Sequence, residues 1–580
     1  MRPVTPFKAH TSETLKVSGR RILGWQTLLW TALAALALYG LGLRNHELWD
    51  YFEPYVAGIV REMATTGDWV VPTLNGHPYL EKPPLFYVLG ALVCRATGSF
   101  EPWALRLPSA LLALATVVWT SFLGWRLSSA RAGGWAGFMV GTSVLFFQVG
   151  HMAVVDMTLT AAVSFSLGLA FLALVEPYYR GRWIPWFWTS LGLAFLAKGL
   201  VGPVLILLPL GITVLIQQDR ELAKAFLRPS WGMAVAVLLA LGWVIPLALR
   251  GGKEFLMEVF LRNTLGRFMA DPSLVPRTGR LGEHVEPFAF YLQRSPGNLL
   301  PWLAIWAAAM ASAFPRRRRH HLSPRSYFLP LAFALNLLLL SLSAEKRMEY
   351  ILPVFPITFL HAALWLDMRV PRARRRIDRT LMAVLGLSFF LVGILAVGFP
   401  WIAMARAHLP WPLALGLSAG SLALSIVSLG RLWRRDFRGA LDWGMTQWAV
   451  FLALFLAIAV PQWDREIWRP LAAPYAAALR LERNGARVVE SQLTETQLGF
   501  ASLRLRHDLP ELDTPAGLQA ALAAPVPVVA LVEPAWWASV ADQIPAGSTL
   551  PTEASTLKPS HRRRAPVVVL NPAARLLAGP

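Results

Sequence analysis

Apolar runs of about twenty residues recur along this chain, and they restrict it to very few folds. The first, ILGWQTLLWTALAALALYGLG at residues 22–42, carries no charge. About twenty such residues, rising 1.5 Å each as a helix, match the ~30 Å hydrocarbon core of a bilayer. Lipid offers backbone amides no water, so a crossing segment of this kind must be helical. Thirteen candidate helices follow, at 22–42, 103–125, 133–150, 157–175, 184–197, 200–216, 231–249, 297–315, 327–343, 350–366, 380–401, 408–430 and 440–461. A further apolar stretch, PLFYVLGALVCRATG at 84–98, is too short to cross and is expected in the interface or against the bundle.

Composition excludes a soluble protein: 55% of the 580 residues are apolar and only 15% charged. The net charge of +21 raises the question of nucleic acid, but its distribution answers it. Arg20 and Arg21, Arg126 and Arg131, Arg180 and Arg182, and Arg220, Lys224 and Arg228 all fall on alternate connections. So do RRRRHH at 316–321, RVPRARRRIDR at 369–379 and RLWRRDFR at 431–438. The opposite short connections hold only Lys198, Lys346, Arg347 and Arg406. Positive charge gathers on the cytoplasmic side of membrane proteins, so the N-terminus is expected in the cytoplasm. The basic runs then anchor the protein on anionic membrane lipids, and no nucleic acid is expected as partner. Residues 1–20 have no apolar core, so the first span is expected to direct insertion without a cleaved signal. The single cysteine, Cys94, leaves no internal disulfide.

Two external loops remain, 43–102 and 250–296, together with a terminal segment of different composition. There VPVVALVE (526–533) and APVVVL (565–570) alternate with helix-like PYAAALRLERNG (474–485), the pattern of a small α/β domain. Residues 1–462 are thus expected to form a transmembrane domain and 463–580 a periplasmic α/β domain.

A charge near mid-bilayer costs roughly 2.5–3.5 kcal/mol, so those kept close to the membrane are functional candidates. Asp50 and Glu53 open the first external loop within ELWDYFEPYVAGIVREM (47–63), beside the aromatic Tyr55. Lys82 lies in YLEKPPLFYV, where two prolines redirect the chain. Asp156 sits in HMAVVDMTLTAAV, Lys198 in AKGLVGP, Arg267 in RNTLGRF, and Lys346 and Tyr350 in AEKRMEYILPVFP. All fall on the external side. Each also has a structural reading: solvated helix-ending acids for Asp50 and Glu53, an N-cap for Asp156, and snorkelling or carbonyl capping for Lys198.

Cations and acids gathered at a membrane surface suit transfer of a sugar from a lipid phosphate. Cations bind the phosphate and neutralise the charge that develops as it departs. A carboxylate takes or orients the proton of the acceptor hydroxyl. Glu53 and Asp156 are the candidates for that role, with Asp50 nearby.

FEPYVAGIVREM, GDWVVPTLNGHPYLEKPPLFYV, VVDMTLT, FLAKGLVGP, EPFAFYL, LLPW and YILPVFP occur in an order that resembles bacterial lipid A aminoarabinose transferases. That group lies in the wider superfamily of polyprenyl-phosphate-sugar glycosyltransferases that includes protein O-mannosyltransferases. The resemblance is densest over 47–360 and implies a bundle of about thirteen helices with a periplasmic active site in a bacterial inner membrane. It implies an inverting glycosyltransferase that uses an undecaprenyl-phosphate sugar and a glycolipid or protein acceptor. Glu53 matches the glutamate of the family's Asp-Glu pair, while Phe52 stands where its aspartate would be, so Glu53 or Asp50 must replace it. Asp156 matches the second acid; Lys82, Arg267, Lys346 and Tyr350 match positions near the lipid phosphate or sugar. Glu81 matches a residue that helps hold a divalent cation in relatives, but no metal constellation is evident, so no cofactor is assigned and a divalent cation stays open. The alternatives are a protein O-glycosyltransferase acting on exported proteins and a lipid or sugar transporter or flippase.

Overall fold

The computed structural model describes residues 9–49, 52–274, 284–313, 324–373, 379–407, 409–544 and 547–578. Asp50, the basic run 316–321 and much of the run 369–379 lie outside them. Among the described residues, eight helices are long and apolar enough to cross a membrane, or nine if the bent pair Ala130–Thr142 and Val144–Gly150, kinked by 68°, is one span. The expected thirteen therefore reduce to this smaller number on length and composition. Helices do stand at the other expected positions, but Val201–Gln217 and Leu303–Ala313 are shorter, and Arg180–Lys198 carries charge at both ends. The short stretch at 84–98 forms the helix Leu85–Thr97.

Small residues set the closest packing in the bundle. Pro102–Leu127 and Ala130–Thr142 cross where Gly124, Gly133 and Gly137 face them, and a Cβ on Gly133 would sit 2.6 Å from the Ser121 carbonyl. Between apolar helices in lipid, such close approach supplies the dispersion contacts that hold them together.

Residues 52–102 fold into defined elements. Glu53 begins the helix Glu53–Thr66, with Pro54 in its first turn. A hairpin follows, β1 (Thr73–Leu74) against β2 (His77–Pro78), turning at Asn75 and Gly76, both with positive φ. The terminal segment folds into a four-stranded sheet of β3 (Arg487–Ser491), β4 (Val528–Val532), β5 (Ser548–Leu550) and β6 (Val567–Leu570). Its order is β3-β4-β6-β5, with β3 and β4 parallel and the other pairs antiparallel. Strands β4 and β6 coincide with the two apolar runs read from the sequence. The boundary at 463 is not a linker: Phe437–Arg483 runs as one helical column from the last span into the first helix of the domain.

That domain docks on the first loop. Asn75 exchanges two hydrogen bonds with Leu509, at 2.6 and 3.0 Å, and Glu62 accepts from Ser502 and from the Asn75 amide. Arg61, buried beside Glu62, donates to Ser502 and Asp508. The helix Glu495–Leu505 lies directly on Glu53–Thr66 because glycines meet there: a Cβ on Gly499 would fall 2.3 Å from the Pro54 carbonyl oxygen.

Candidate functional site

Four separate segments meet around a cavity of about 340 Å³. Pro83 and Pro84 end the first loop and start Leu85–Thr97, leaving Lys82 on the rim. Lys198 ends the helix Arg180–Lys198, which Gly199 closes at φ 59°, a conformation open to glycine. The helix from Trp231 breaks at Gly252 (φ 60°), continues as the wider turns Met257–Gly266 and delivers Arg267. Extended backbone at Ala344–Lys346 pairs with it: Ala344 donates to Phe268 and Glu345 to Arg267, at 2.8 and 3.3 Å. Tyr350 then lies in the tight turn Met348–Val354.

The cavity has two chemically distinct ends. Glu81, Lys82, Lys198, Arg267 and Tyr350 form its polar end, and residues such as Leu200, Val204, Leu265 and Leu339 line the rest. Glu81 Oε1 accepts from Arg267 at 2.7 Å and lies 3.6 Å from Lys82; Oε2 accepts from the Tyr79 hydroxyl. Burial alone would raise the Glu81 carboxyl, but Lys82 and Arg267 hold it well below the usual carboxylate range. Burial would likewise lower the Lys82 ammonium, yet Glu81 and Tyr55 raise it further than burial lowers it. Both groups are charged at neutral pH. Arg267 Nε is buried without a hydrogen-bond partner, its nearest carboxylate oxygen being Glu345 Oε2 in an ion pair at 4.0 Å, and Arg347 Nε is likewise buried without one. A buried, unsatisfied guanidinium donor costs free energy until an anion reaches it.

Asp156 stands close by. It starts the helix Asp156–Val175, but its side chain makes no capping bond and instead accepts from Lys198 at 2.5 Å. Lys198 in turn lies 3.9 Å from the centre of the Tyr350 ring. Tyr55 does not line the cavity; its hydroxyl accepts from Lys82 at 3.1 Å and fixes that side chain.

Two expected site residues point elsewhere. Glu53 is fully buried, and each of its oxygens accepts two hydrogen bonds: Oε1 from Arg106 and the Ala153 amide, Oε2 from Arg106 and the Trp49 amide, all within 2.7 Å. All four of its acceptor positions are thus taken in this structure, whereas the sequence expectation makes it a catalytic base. Lys346 is also buried, and its ammonium donates to the Glu286 carbonyl at 2.6 Å, away from the cavity. It braces the loop. Sequence reading missed Arg347, which stacks 4.9 Å from the Phe52 ring and pairs with His284, and Glu345, which lines the cavity. Neither stands out locally, since both lie in a charged turn, EKRME, whose side chains only the fold distributes.

Two cations and a phenol engage Glu81. Among the described residues no three His, Cys, Asp or Glu gather as a metal site.

A family model described as dolichyl-phosphate-mannose-protein mannosyltransferase matches residues 81–249, a stretch that holds Lys82, Asp156 and Lys198. An undecaprenyl phosphate-alpha-4-amino-4-deoxy-L-arabinose arabinosyl transferase from Pectobacterium carotovorum is 28% identical over 433 residues, 73% of this chain and 74% of the relative. One of the same name from Edwardsiella ictaluri is 28% identical over 541 residues, 90% of this chain and 92% of its own. Among solved structures, ArnT from Cupriavidus metallidurans bound to undecaprenyl phosphate superposes with a TM-score of 0.72 at 21% identity, covering 96% of this chain and 99% of that one. Both of these relatives are named as transferases. Along most of its length the chain is thus similar in sequence to undecaprenyl phosphate-aminoarabinose arabinosyl transferases, and in fold to ArnT.

Proposed function

We propose that this chain is an inverting transferase that moves a sugar from an undecaprenyl-phosphate-linked donor to a lipid A-like or other envelope glycolipid, at the periplasmic face of a bacterial inner membrane. The observation that carries this reading is the unsatisfied Nε of Arg267 where an apolar cavity meets Lys82 and Lys198. A long isoprenoid tail suits the apolar end, and a phosphate suits the cationic one. The names of the relatives point to the same donor class, with 4-amino-4-deoxy-arabinose as the sugar they carry.

In this reading the acceptor hydroxyl oxygen attacks the anomeric carbon opposite the phosphate. The new C–O bond forms as the bond to the phosphate oxygen breaks, and undecaprenyl phosphate leaves with the electron pair. Lys82 and Arg267 neutralise the charge that grows on it. Asp156 receives the hydroxyl proton on Oδ2, since Lys198 occupies its Oδ1. Tyr350 holds Lys198 in place.

The test uses the full-length protein in nanodiscs with a lipid-linked sugar donor. Lys82→Ala and Arg267→Ala should each lower donor kcat/KM by about 100-fold or more, through lost charge-assisted bonds to phosphate. Near wild-type values for both would overturn the assignment. A second reading, with exported proteins as acceptors, is favoured by the description of the matched family model. Mass spectrometry of envelope lipids and proteins from a strain lacking this chain separates the two.

A further inference from the structure

Tyr79 stands between two acids that come from different domains. Its hydroxyl donates to Oε2 of Glu81 and lies 3.1 Å from Oε2 of Glu495. Glu495 opens the terminal-domain helix Glu495–Leu505, whose first turn is held by a reciprocal capping box between Thr494 and Gln497. The Gly58–Gly499 crossing presses that helix onto Glu53–Thr66, the helix that supplies Tyr55 to Lys82. The domain thus reaches the cationic end of the cavity along two routes.

A phenol has one hydrogen to donate. With Glu81 taking it, the contact to Glu495 is satisfied only when Glu495 is protonated and donates to the phenol oxygen. The groups that face Glu495 are Tyr79, Glu81, Lys82, Arg267 and, further off, Tyr87. Burial and the charge of Glu81 raise its carboxyl, against a smaller lowering from Tyr79, Lys82 and Arg267.

We propose that Glu495 is a positioning residue of the donor site: acting through Tyr79, it moderates the hold of Glu81 on Arg267 and Lys82 and so leaves these cations available to the donor phosphate. When Glu495 ionises, its carboxylate competes for the phenol hydrogen. Glu81 then loses a donor and draws the two cations closer. Donor affinity therefore falls as pH rises through the ionisation of Glu495. The proposal rests on the reading of the cavity as the donor-phosphate site.

The experiment measures undecaprenyl phosphate binding, and donor KM and kcat, for the full-length protein in nanodiscs from about pH 4 to about pH 9. Glu495→Ala should weaken binding and raise donor KM by about 5- to 10-fold, with kcat within about 2-fold, the scale of one lost hydrogen bond. Glu495→Gln keeps an N–H donor for the phenol oxygen and cannot ionise. It should bind like the wild type at low pH and lose the decline at high pH, and it keeps the test open if the alanine variant does not fold. Retention of the decline with rising pH by Glu495→Gln, or wild-type binding by both variants at every pH, overturns the proposal. Wild-type protein that binds no undecaprenyl phosphate overturns the donor-site reading as well. Wild-type binding with unaltered variants overturns only the role of Glu495.

Discussion

Four hydrogen bonds close around the carboxylate of Glu53, and the guanidinium opposite it is equally spent. Arg106 gives its remaining donors to the carbonyls of Leu43, His46 and Glu47 at 2.9–3.2 Å. This knot ties the end of the first span to the start of the loop helix. A buried pair whose partners are all satisfied is costly to break on one side, because the surviving charge stays in a medium that cannot solvate it. Glu53→Gln should thus cost about 3–5 kcal/mol of stability, read as a lower thermal midpoint, while protein that does fold keeps its donor KM. A lost KM with an unchanged midpoint would return Glu53 to the chemistry. One position earlier, Phe52 stands where the resemblance implies an aspartate, and Arg347 lies over its ring. A cation over an aromatic face gains about 0.5–2 kcal/mol and keeps its N–H donors, whereas a carboxylate there would take them up. Phe52 therefore leaves Arg347 Nε unsatisfied at the edge of the site.

At the scale of elements, one of the two links between the terminal domain and the site is a helix crossing. Gly58 and Gly499 allow Glu53–Thr66 and Glu495–Leu505 to touch backbone to backbone; a Cβ on Gly58 would sit 3.0 Å from the Gly499 Cα. A side chain in that space would force the helices apart, and overpacking of this kind costs about 1–3 kcal/mol. Gly499→Val should weaken hydrogen-exchange protection across 53–66 and 495–505, with little change in the spans. Unchanged protection in both helices would show that the contact contributes nothing to their stability. The elements themselves were unevenly legible in the sequence. Apolar runs announced most helices and the strands β4 and β6, since burial on both faces demands continuous apolar residues. The strands β3 and β5 escaped notice. RVVES mixes charge into its run, and STL is only three residues long. The hairpin at Asn75 and Gly76 was equally hidden, because its strands are two residues each.

The whole molecule gathers its chemistry at one end. Lys82, Lys198, Arg267 and Tyr350 come from connections that the charge pattern assigns to a single side of the membrane and meet around one cavity, and Asp156 joins them through Lys198. That sidedness can be checked by labelling, because the one native cysteine, Cys94, is buried. Ser555→Cys, exposed on the terminal domain, should react with an impermeant maleimide in intact spheroplasts. Lys224→Cys should react only after the membrane is opened. The reverse pattern would invert the topology and remove the periplasmic site.

Apolar length and the alternation of basic runs are local properties, and each acts on the bilayer without reference to the rest of the chain. They were therefore readable from the sequence alone, as was the set of charged residues from which the site is drawn. Which of those charges faces the cavity depends on partners far along the chain. Glu53 meets Arg106 at a separation of 53 residues, Glu81 meets Arg267 at 186, and Tyr79 meets Glu495 at 416. A buried charge takes its role from whatever neutralises it, and only the folded chain brings that partner within reach.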